Sequence, residues 1–159
     1  MDAIVAVYSD WGIGFGGTQP VVVSADRKHF REVTGGSAVI VGRKTLADFP
    51  GGKPLKGRRN IVLTRQKLDI EGAEIAGSVE EALELVKDEP RVFVIGGESV
   101  YRAFFPYLTR IYVTKLDARP VSDAFFPNLD ADESWGVMEY GGPFEEDGLR
   151  YEFLTYERE

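Results

Sequence analysis

The segment 24–33 places one carboxylate on the apolar face of a predicted helix. Asp26 precedes Phe30 by four positions and Val33 by seven, a spacing that puts the three side chains on one side. An acid in a first turn often does no more than complement the helix dipole. Among apolar side chains, however, an acid is desolvated, which raises its pKa and suits it to proton donation. Asp26 is therefore the candidate acid, whereas His29 is more typical of a helix surface and stays outside the mechanism.

Three predicted strands end in residues that suit phosphate groups. Residues 42–45 (Gly-Arg-Lys-Thr) supply two cations and a hydroxyl, and residues 64 and 65 add a threonine and an arginine. Gly96 and Gly97 stand between a strand and a helix, where the lack of side chains lets a ligand approach backbone N–H groups. The glycines at 12–17 run on into Pro20 rather than a helix, so they fail the dinucleotide fingerprint. Together the three strand ends predict an anion site.

The charge distribution favours the same region. The chain has 159 residues and a net charge of −7, which disfavours a general nucleic-acid or anionic-membrane binder. Residues 43–67 nevertheless hold eight bases and one acid, so this window is +7 and the remainder is −14. Cysteine is absent and His29 is the single histidine, which disfavours disulfides, thiolate catalysis and the common zinc sites. We expect no metal and a local site for small anions.

Short apolar runs alternate with helical patterns along the chain. Eight strands are predicted, at 3–8, 38–41, 60–64, 73–76, 91–95, 110–116, 135–140 and 149–156, and four helices, at 25–33, 45–49, 79–87 and 99–105. Ser24 is the expected N-cap of the first helix, and Ser78 with Glu81 forms a capping box for the third. The alternation predicts a parallel sheet with helices on both faces. The last two strands have only residues 141–143 between them and should be antiparallel.

No apolar stretch is long enough for a membrane helix and no signal peptide is evident, so we expect a cytoplasmic protein.

Several motifs occur in the order found in one known family. They are Ile13-Gly14, Ala25-Asp26 with Phe30, Gly42-Arg43-Lys44-Thr45, the segment 57–65, Ile95-Gly96-Gly97 with Tyr101, Thr114, and Asp123 ahead of Phe125-Phe126-Pro127. In this the chain resembles the bacterial dihydrofolate reductases. The resemblance implies one domain over residues 1–159, with an eight-stranded, mostly parallel α/β sheet, an antiparallel C-terminal strand and about four flanking helices. It also implies NADPH-dependent reduction of 7,8-dihydrofolate to 5,6,7,8-tetrahydrofolate.

The resemblance also assigns residues to roles. Asp26 would promote protonation of the substrate, Thr114 would hydrogen-bond its carboxylate, and Arg58 would pair with the carboxylate of the glutamate tail. The remaining residues implied to bind substrate are Ile4, Val5, Arg27, Phe30, Ile95 and Tyr101. Those implied to bind NADPH are Ala6, Ile13, Gly14, Gly42, Arg43, Lys44, Thr45, Leu63, Thr64, Arg65, Gly96, Gly97, Glu98, Ser99, Val100 and Tyr101.

The chain departs from that family in the loop before Asp26. Members usually have Leu-Pro-Trp where this chain has Gln19-Pro20-Val21, and four glycines at 12–17 add backbone freedom, so we expect marginal loop closure. Arg27 stands where an apolar residue is common in the family.

Two alternative functions stay open: a riboflavin-pathway pyrimidine reductase of the same fold, and an NADPH-binding module that has lost catalysis. We expect a monomer that takes dihydrofolate and antifolate inhibitors and binds neither nucleic acid nor membranes.

Overall fold

The computed structural model describes residues 1–159 and is built on one eight-stranded sheet. The strands are β1 (Asp2–Val7), β3 (Ala38–Gly42), β4 (Arg59–Leu63), β5 (Ala73–Ala76), β6 (Val92–Val94), β7 (Arg110–Leu116), β9 (Trp135–Glu146) and β10 (Leu149–Arg158). Their order across the sheet is β5-β4-β3-β6-β1-β7-β10-β9. All pairs are parallel except those of β10, which runs antiparallel to β7 and to β9. The predicted fold class is thereby confirmed.

Four α-helices cover the two faces of this sheet. They are α1 (Ser24–Thr34), α2 (Arg43–Ala47), α3 (Val79–Val86) and α4 (Glu98–Phe104). On one face, Val39, Val62 and Phe93 pack with Leu46 of α2 and with Phe30 of α1. The larger apolar cluster, on the other face, includes residues of α3 and α4. None of these helices has both the length and the apolar composition of a membrane span.

Most element boundaries lie within two residues of the predicted ones; α2, predicted at 45–49, begins two residues earlier, so that Arg43 and Lys44 belong to the helix. Three differences are larger or change the role of a residue. Ser24 is the first residue of α1 and not its N-cap, because Val23 takes the extended cap conformation. Residues 141–143 lie inside β9, and the turn to β10 falls instead at Asp147, which has a positive φ, and Gly148. A second, two-stranded sheet of β2 (Gly12–Gly14) and β8 (Ala124–Phe125) was not predicted, because both strands are too short to show a period.

Candidate active site

One large cavity opens where the parallel strands of the main sheet end. It has a volume of about 1500 Å³, more than a single drug-sized ligand usually needs. Open α/β sheets commonly bind ligands beyond the carboxyl ends of their strands. The structure brings every residue predicted for substrate or cofactor to this one cavity, except Thr114, which lies behind its wall. Those lining it are Ile4, Val5, Ala6, Ile13, Gly14, Asp26, Arg27, Phe30, Gly42, Arg43, Lys44, Thr45, Arg58, Leu63, Thr64, Arg65, Ile95, Gly96, Gly97, Glu98, Ser99, Val100 and Tyr101.

Asp26 lies in the first turn of α1 and points towards β7. Its Oδ1 accepts a hydrogen bond of 2.5 Å from Oγ1 of Thr114, a residue only 1% exposed. β7 pairs with β1, so Thr114 stands opposite Ala6 in the sheet and its position is fixed. Burial raises the pKa of Asp26, while the Thr114 hydroxyl and the charge of His29 act in the opposite direction. The net result is a carboxyl that holds its proton more tightly than one in water.

Asp26 is not the only acid at the cavity. Asp48, Glu80, Glu98 and Asp123 also line it. Of these, Asp48, Glu80 and Asp123 are exposed, and the carboxylate of Glu98 accepts a hydrogen bond from the backbone N–H of residue 125. Desolvation is what distinguishes Asp26, since a proton donor working at neutral pH needs a raised pKa.

Tyr101 of α4 forms part of the wall near Asp26. Its hydroxyl donates a 2.7 Å hydrogen bond to the backbone carbonyl of Ile4, and its side chain is 4% exposed. Burial raises its pKa far above the ordinary tyrosine range, and the charge of Asp26 adds to that rise. Tyr101 therefore stays neutral and ties α4 to β1 rather than exchanging protons.

Arg58 is held at the cavity by backbone and hydroxyl groups rather than by an acid. Its guanidinium donates to Oγ1 of Thr34 at 3.2 Å, to the carbonyl of Lys56 at 2.6 Å and to the carbonyl of Arg31 at 3.4 Å. Burial lowers its pKa, and the neighbouring charge of Arg31 lowers it further. Arg27 and Arg31 also line the cavity, and neither forms a salt bridge. These three cations form no salt bridge and are therefore available to an anionic group in the cavity.

The glycine turn after β6 brings backbone and side chains into close approach. The N–H of Gly42 donates to the carbonyl of Gly96 at 2.8 Å. A Cβ on Gly97 would lie 2.9 Å from Oγ1 of Thr45, and one on Gly42 would lie 3.0 Å from the Val100 side chain. Side chains at these positions would therefore fill the space beside the turn.

Three cations surround this turn and the end of β4. Arg43, Lys44 and Arg65 line the same cavity and take part in no salt bridge. Backbone N–H groups together with unpaired cations are the chemistry that phosphate groups require, so these residues fit a dinucleotide phosphate.

The structure adds contacts that sequence patterns did not indicate. The hydroxyl of Tyr8 bonds to the backbone of Val21, and the carboxylate of Glu146 accepts hydrogen bonds from the backbone N–H groups of Ser24 and Ala25 and from the Ser24 hydroxyl. Asp123 accepts a hydrogen bond from the N–H of Gly16 at 3.1 Å. These pairs are far apart along the chain, and only Asp123 had a local signal, its place in the family motif.

Comparison with known proteins identifies the family. The family model for dihydrofolate reductase matches residues 1–158. Dihydrofolate reductase of Mycobacterium tuberculosis is 42% identical over 151 residues, covering 92% of this chain and 90% of that protein. The enzyme of Staphylococcus haemolyticus is 39% identical, covering 98% and 93%.

A solved structure agrees with this assignment. It is dihydrofolate reductase from Enterococcus faecalis complexed with NADP(H) and RAB-propyl, with a TM-score of 0.88, 30% identity, and coverage of 99% of this chain and 95% of that one. With its sheet order, its cavity and these relatives in agreement, the chain belongs to the dihydrofolate reductase family.

Proposed function

We propose that this chain reduces 7,8-dihydrofolate to 5,6,7,8-tetrahydrofolate with NADPH as the hydride donor. Its relatives carry the name of that reaction, and the solved structure from Enterococcus faecalis holds NADP(H). The observation that carries the proposal is the hydrogen bond between the half-buried Asp26 and the buried Thr114 at the wall of a cavity large enough for two ligands.

Asp26 is the residue that manages the proton. When bound, NADPH supplies a hydride to a carbon of the pterin ring, and the adjacent ring nitrogen must gain a proton. The raised pKa of Asp26 lets its carboxyl hold the ring and promote that protonation at neutral pH. Thr114 is a positioning residue, because its hydroxyl bonds to Oδ1 of Asp26 and fixes which oxygen faces the cavity.

Apolar side chains and arginines contact different parts of the substrate at its end of the cavity. Ile4, Val5, Phe30 and Ile95 enclose the pterin and the group that follows it, with the Tyr101 ring behind them. Arg58 pairs with the α-carboxylate of the glutamate tail, a two-point contact that the planar guanidinium suits. Arg27 adds positive charge at this end.

The cofactor occupies the other end, along the ends of β3, β4 and β6. Backbone groups of Gly96 and Gly97 face the diphosphate, while Arg43, Lys44 and Arg65 hold the phosphates, the adenosine 2′-phosphate among them. The remaining contacts are assigned to Ala6, Ile13, Gly14, Gly42, Thr45, Leu63, Thr64, Glu98, Ser99, Val100 and Tyr101.

The partners and compartment follow from the same site. The assigned site needs no residue from a second copy, so we propose that the protein acts as a monomer, and we place it in the cytoplasm. Antifolate inhibitors compete with dihydrofolate at the Asp26 end. The molar mass from light scattering after size exclusion tests whether the protein is a monomer. A rise in the apparent Michaelis constant for dihydrofolate with added antifolate tests the competition.

The decisive experiment follows the loss of NADPH absorbance with and without dihydrofolate. Substrate-dependent loss is the expected result. Loss only with a ribosylated pyrimidine phosphate would identify a riboflavin-pathway reductase instead. Binding of NADPH with no turnover on either substrate would indicate a binding module.

A further inference from the structure

The Tyr8 hydroxyl makes a two-point contact with the loop that precedes α1. It donates to the carbonyl oxygen of Val21 at 2.8 Å and accepts from the N–H of the same residue at 3.1 Å. Tyr8 directly follows β1 and is 2% exposed, and its ring packs with Val23, Leu116 and Tyr151. Its own N–H donates to the carbonyl of Gly12 at 2.9 Å. The hydroxyl is therefore presented from a fixed position in the core.

The loop has little else to hold it at this point. Residues 15–20 and Val22 are exposed, and the hairpin contact between Phe15 and Thr18 ends before Gln19. Over residues 19–22, the hydrogen bonds to Tyr8 are the only ones in the structure. Gly17, Thr18 and Gln19 line the large cavity, so the segment fixed at Val21 is also a wall of the site.

A buried tyrosine hydroxyl with both its donor and its acceptor used by one residue restricts that residue strongly. Leaving the N–H or the carbonyl of Val21 without a partner beside the apolar cluster of Tyr8 is costly, so the loop favours the position where both are satisfied. The contact is made to the backbone and does not depend on the side chain at position 21. It can therefore anchor a loop in which no aromatic side chain is present from residue 16 to residue 23.

We propose that Tyr8 is a positioning residue for the reduction, holding residues 17–22 against the substrate end of the cavity through the backbone of Val21. The role rests on the proposed function, because it concerns the dihydrofolate side of that site. Tyr8 acts on the part of the cavity wall near Asp26, which lies five positions beyond Val21 at the start of α1. It does not act on the phosphate-binding turn.

The test is Tyr8→Phe, which keeps the ring and removes only the hydroxyl. We expect the amide of Val21 to exchange with solvent at least about tenfold faster, and kcat/KM for dihydrofolate to fall about tenfold, the size expected for losing one or two net hydrogen bonds. The dissociation constant of NADPH should change less than about twofold.

The matched control is Tyr156→Phe. Tyr156 is also a buried tyrosine, 1% exposed, but its hydroxyl donates to Asp130 at 2.7 Å, away from the loop. This variant should lower the unfolding temperature without altering Val21 exchange or dihydrofolate kinetics.

Two results would overturn the proposal. One is unchanged exchange at Val21 in Tyr8→Phe. The other is faster exchange with kcat/KM for dihydrofolate equal to that of the Tyr156→Phe control. If the unmutated protein does not oxidise NADPH with dihydrofolate, the proposed function fails, whereas the exchange measurement still reports on the contact itself.

Discussion

Replacing Asp26 with asparagine separates its role in proton transfer from its role in the fold. Asparagine has nearly the same shape, and its side-chain oxygen can still accept the hydrogen bond from Thr114. The change removes the one carboxyl at the wall whose pKa is raised by desolvation. We therefore expect the variant to fold, to bind NADPH normally and to lose turnover.

The expected loss of turnover at neutral pH is about 10²–10⁴-fold, the usual contribution of a positioned general acid. At about 1.36 kcal/mol per factor of ten, this raises the barrier by about 2.7–5.4 kcal/mol. In the variant the proton must come from solvent, so its rate should rise steadily as the pH falls and approach that of the unmutated protein.

The same substitution should affect stability in the opposite direction. Because the pKa of Asp26 is raised in the folded state, its carboxyl favours folding at acid pH, and that contribution is lost as the pH rises through the folded-state pKa. At neutral pH the buried charge costs stability, so Asp26→Asn should unfold at a temperature equal to or above that of the unmutated protein.

The assay is NADPH oxidation with dihydrofolate across a pH series, together with thermal unfolding at each pH. Glu32→Gln is the matched control, because Glu32 is an exposed carboxylate on the same helix and does not line the cavity. Near-normal turnover of Asp26→Asn at neutral pH, or an equal loss in Glu32→Gln, would refute the assignment.

Three further outcomes are expected. NADPH should be preferred to NADH, and equal use of both cofactors by the unmutated protein would contradict this. Replacing Arg43 and Arg65 with alanine should reduce the preference at least about tenfold in kcat/KM, because each charged contact is worth about 1.5–3 kcal/mol. Hydrogen bonds from Ser24 and Ala25 lower the pKa of Glu146, so its carboxylate stabilises the fold at pH values above the ordinary carboxyl pKa and does so less as the pH falls. Glu146→Gln should therefore lower the unfolding temperature at neutral pH, and the variant and the unmutated protein should unfold at the same temperature in acid. Tyr101→Phe should cost about 1–3 kcal/mol in chemical unfolding because it leaves a buried β1 carbonyl unpaired, and an unchanged midpoint would show that water replaces the hydroxyl.

Local patterns predicted those elements whose stabilising contacts are local or repetitive. β5 and β7 have the predicted bounds, and α3 begins after Ser78, whose hydroxyl accepts from the backbone N–H of Glu81 as predicted. The reciprocal bond of the capping box is shifted by one residue, since the Glu81 carboxylate accepts from the N–H of Gly77. The course of β9 could not be predicted, because Gly142 and Pro143 are typical turn residues. β9 pairs with β10 alone, and an edge strand tolerates a residue that lacks an N–H.

The contacts of the site likewise fall into those that a local pattern predicts and those that it does not. Asp26 and the glycine turn carry local signals, an acid on an apolar helix face and two small residues between strand and helix. Tyr8 and Val21 are 13 positions apart, and Glu146 and Ser24 are 122 apart, so no spacing rule connects them. Such contacts depend on how strands are ordered in the sheet, which the motifs imply only through the family resemblance.

The sheet order has a consequence for how the protein assembles on the ribosome. β1 lies between β6 and β7, so Asp2 pairs with Phe93 and Arg110, residues made 91 and 108 positions later. The central strand is thus synthesised early and stays unpaired until most of the chain has emerged, an arrangement that slows folding and prolongs exposure of an apolar segment. Thr114 arrives with β7, so a nascent chain that stops before this strand has the carboxylate of Asp26 but not the hydroxyl that orients it. Catalytic competence is therefore acquired late in synthesis.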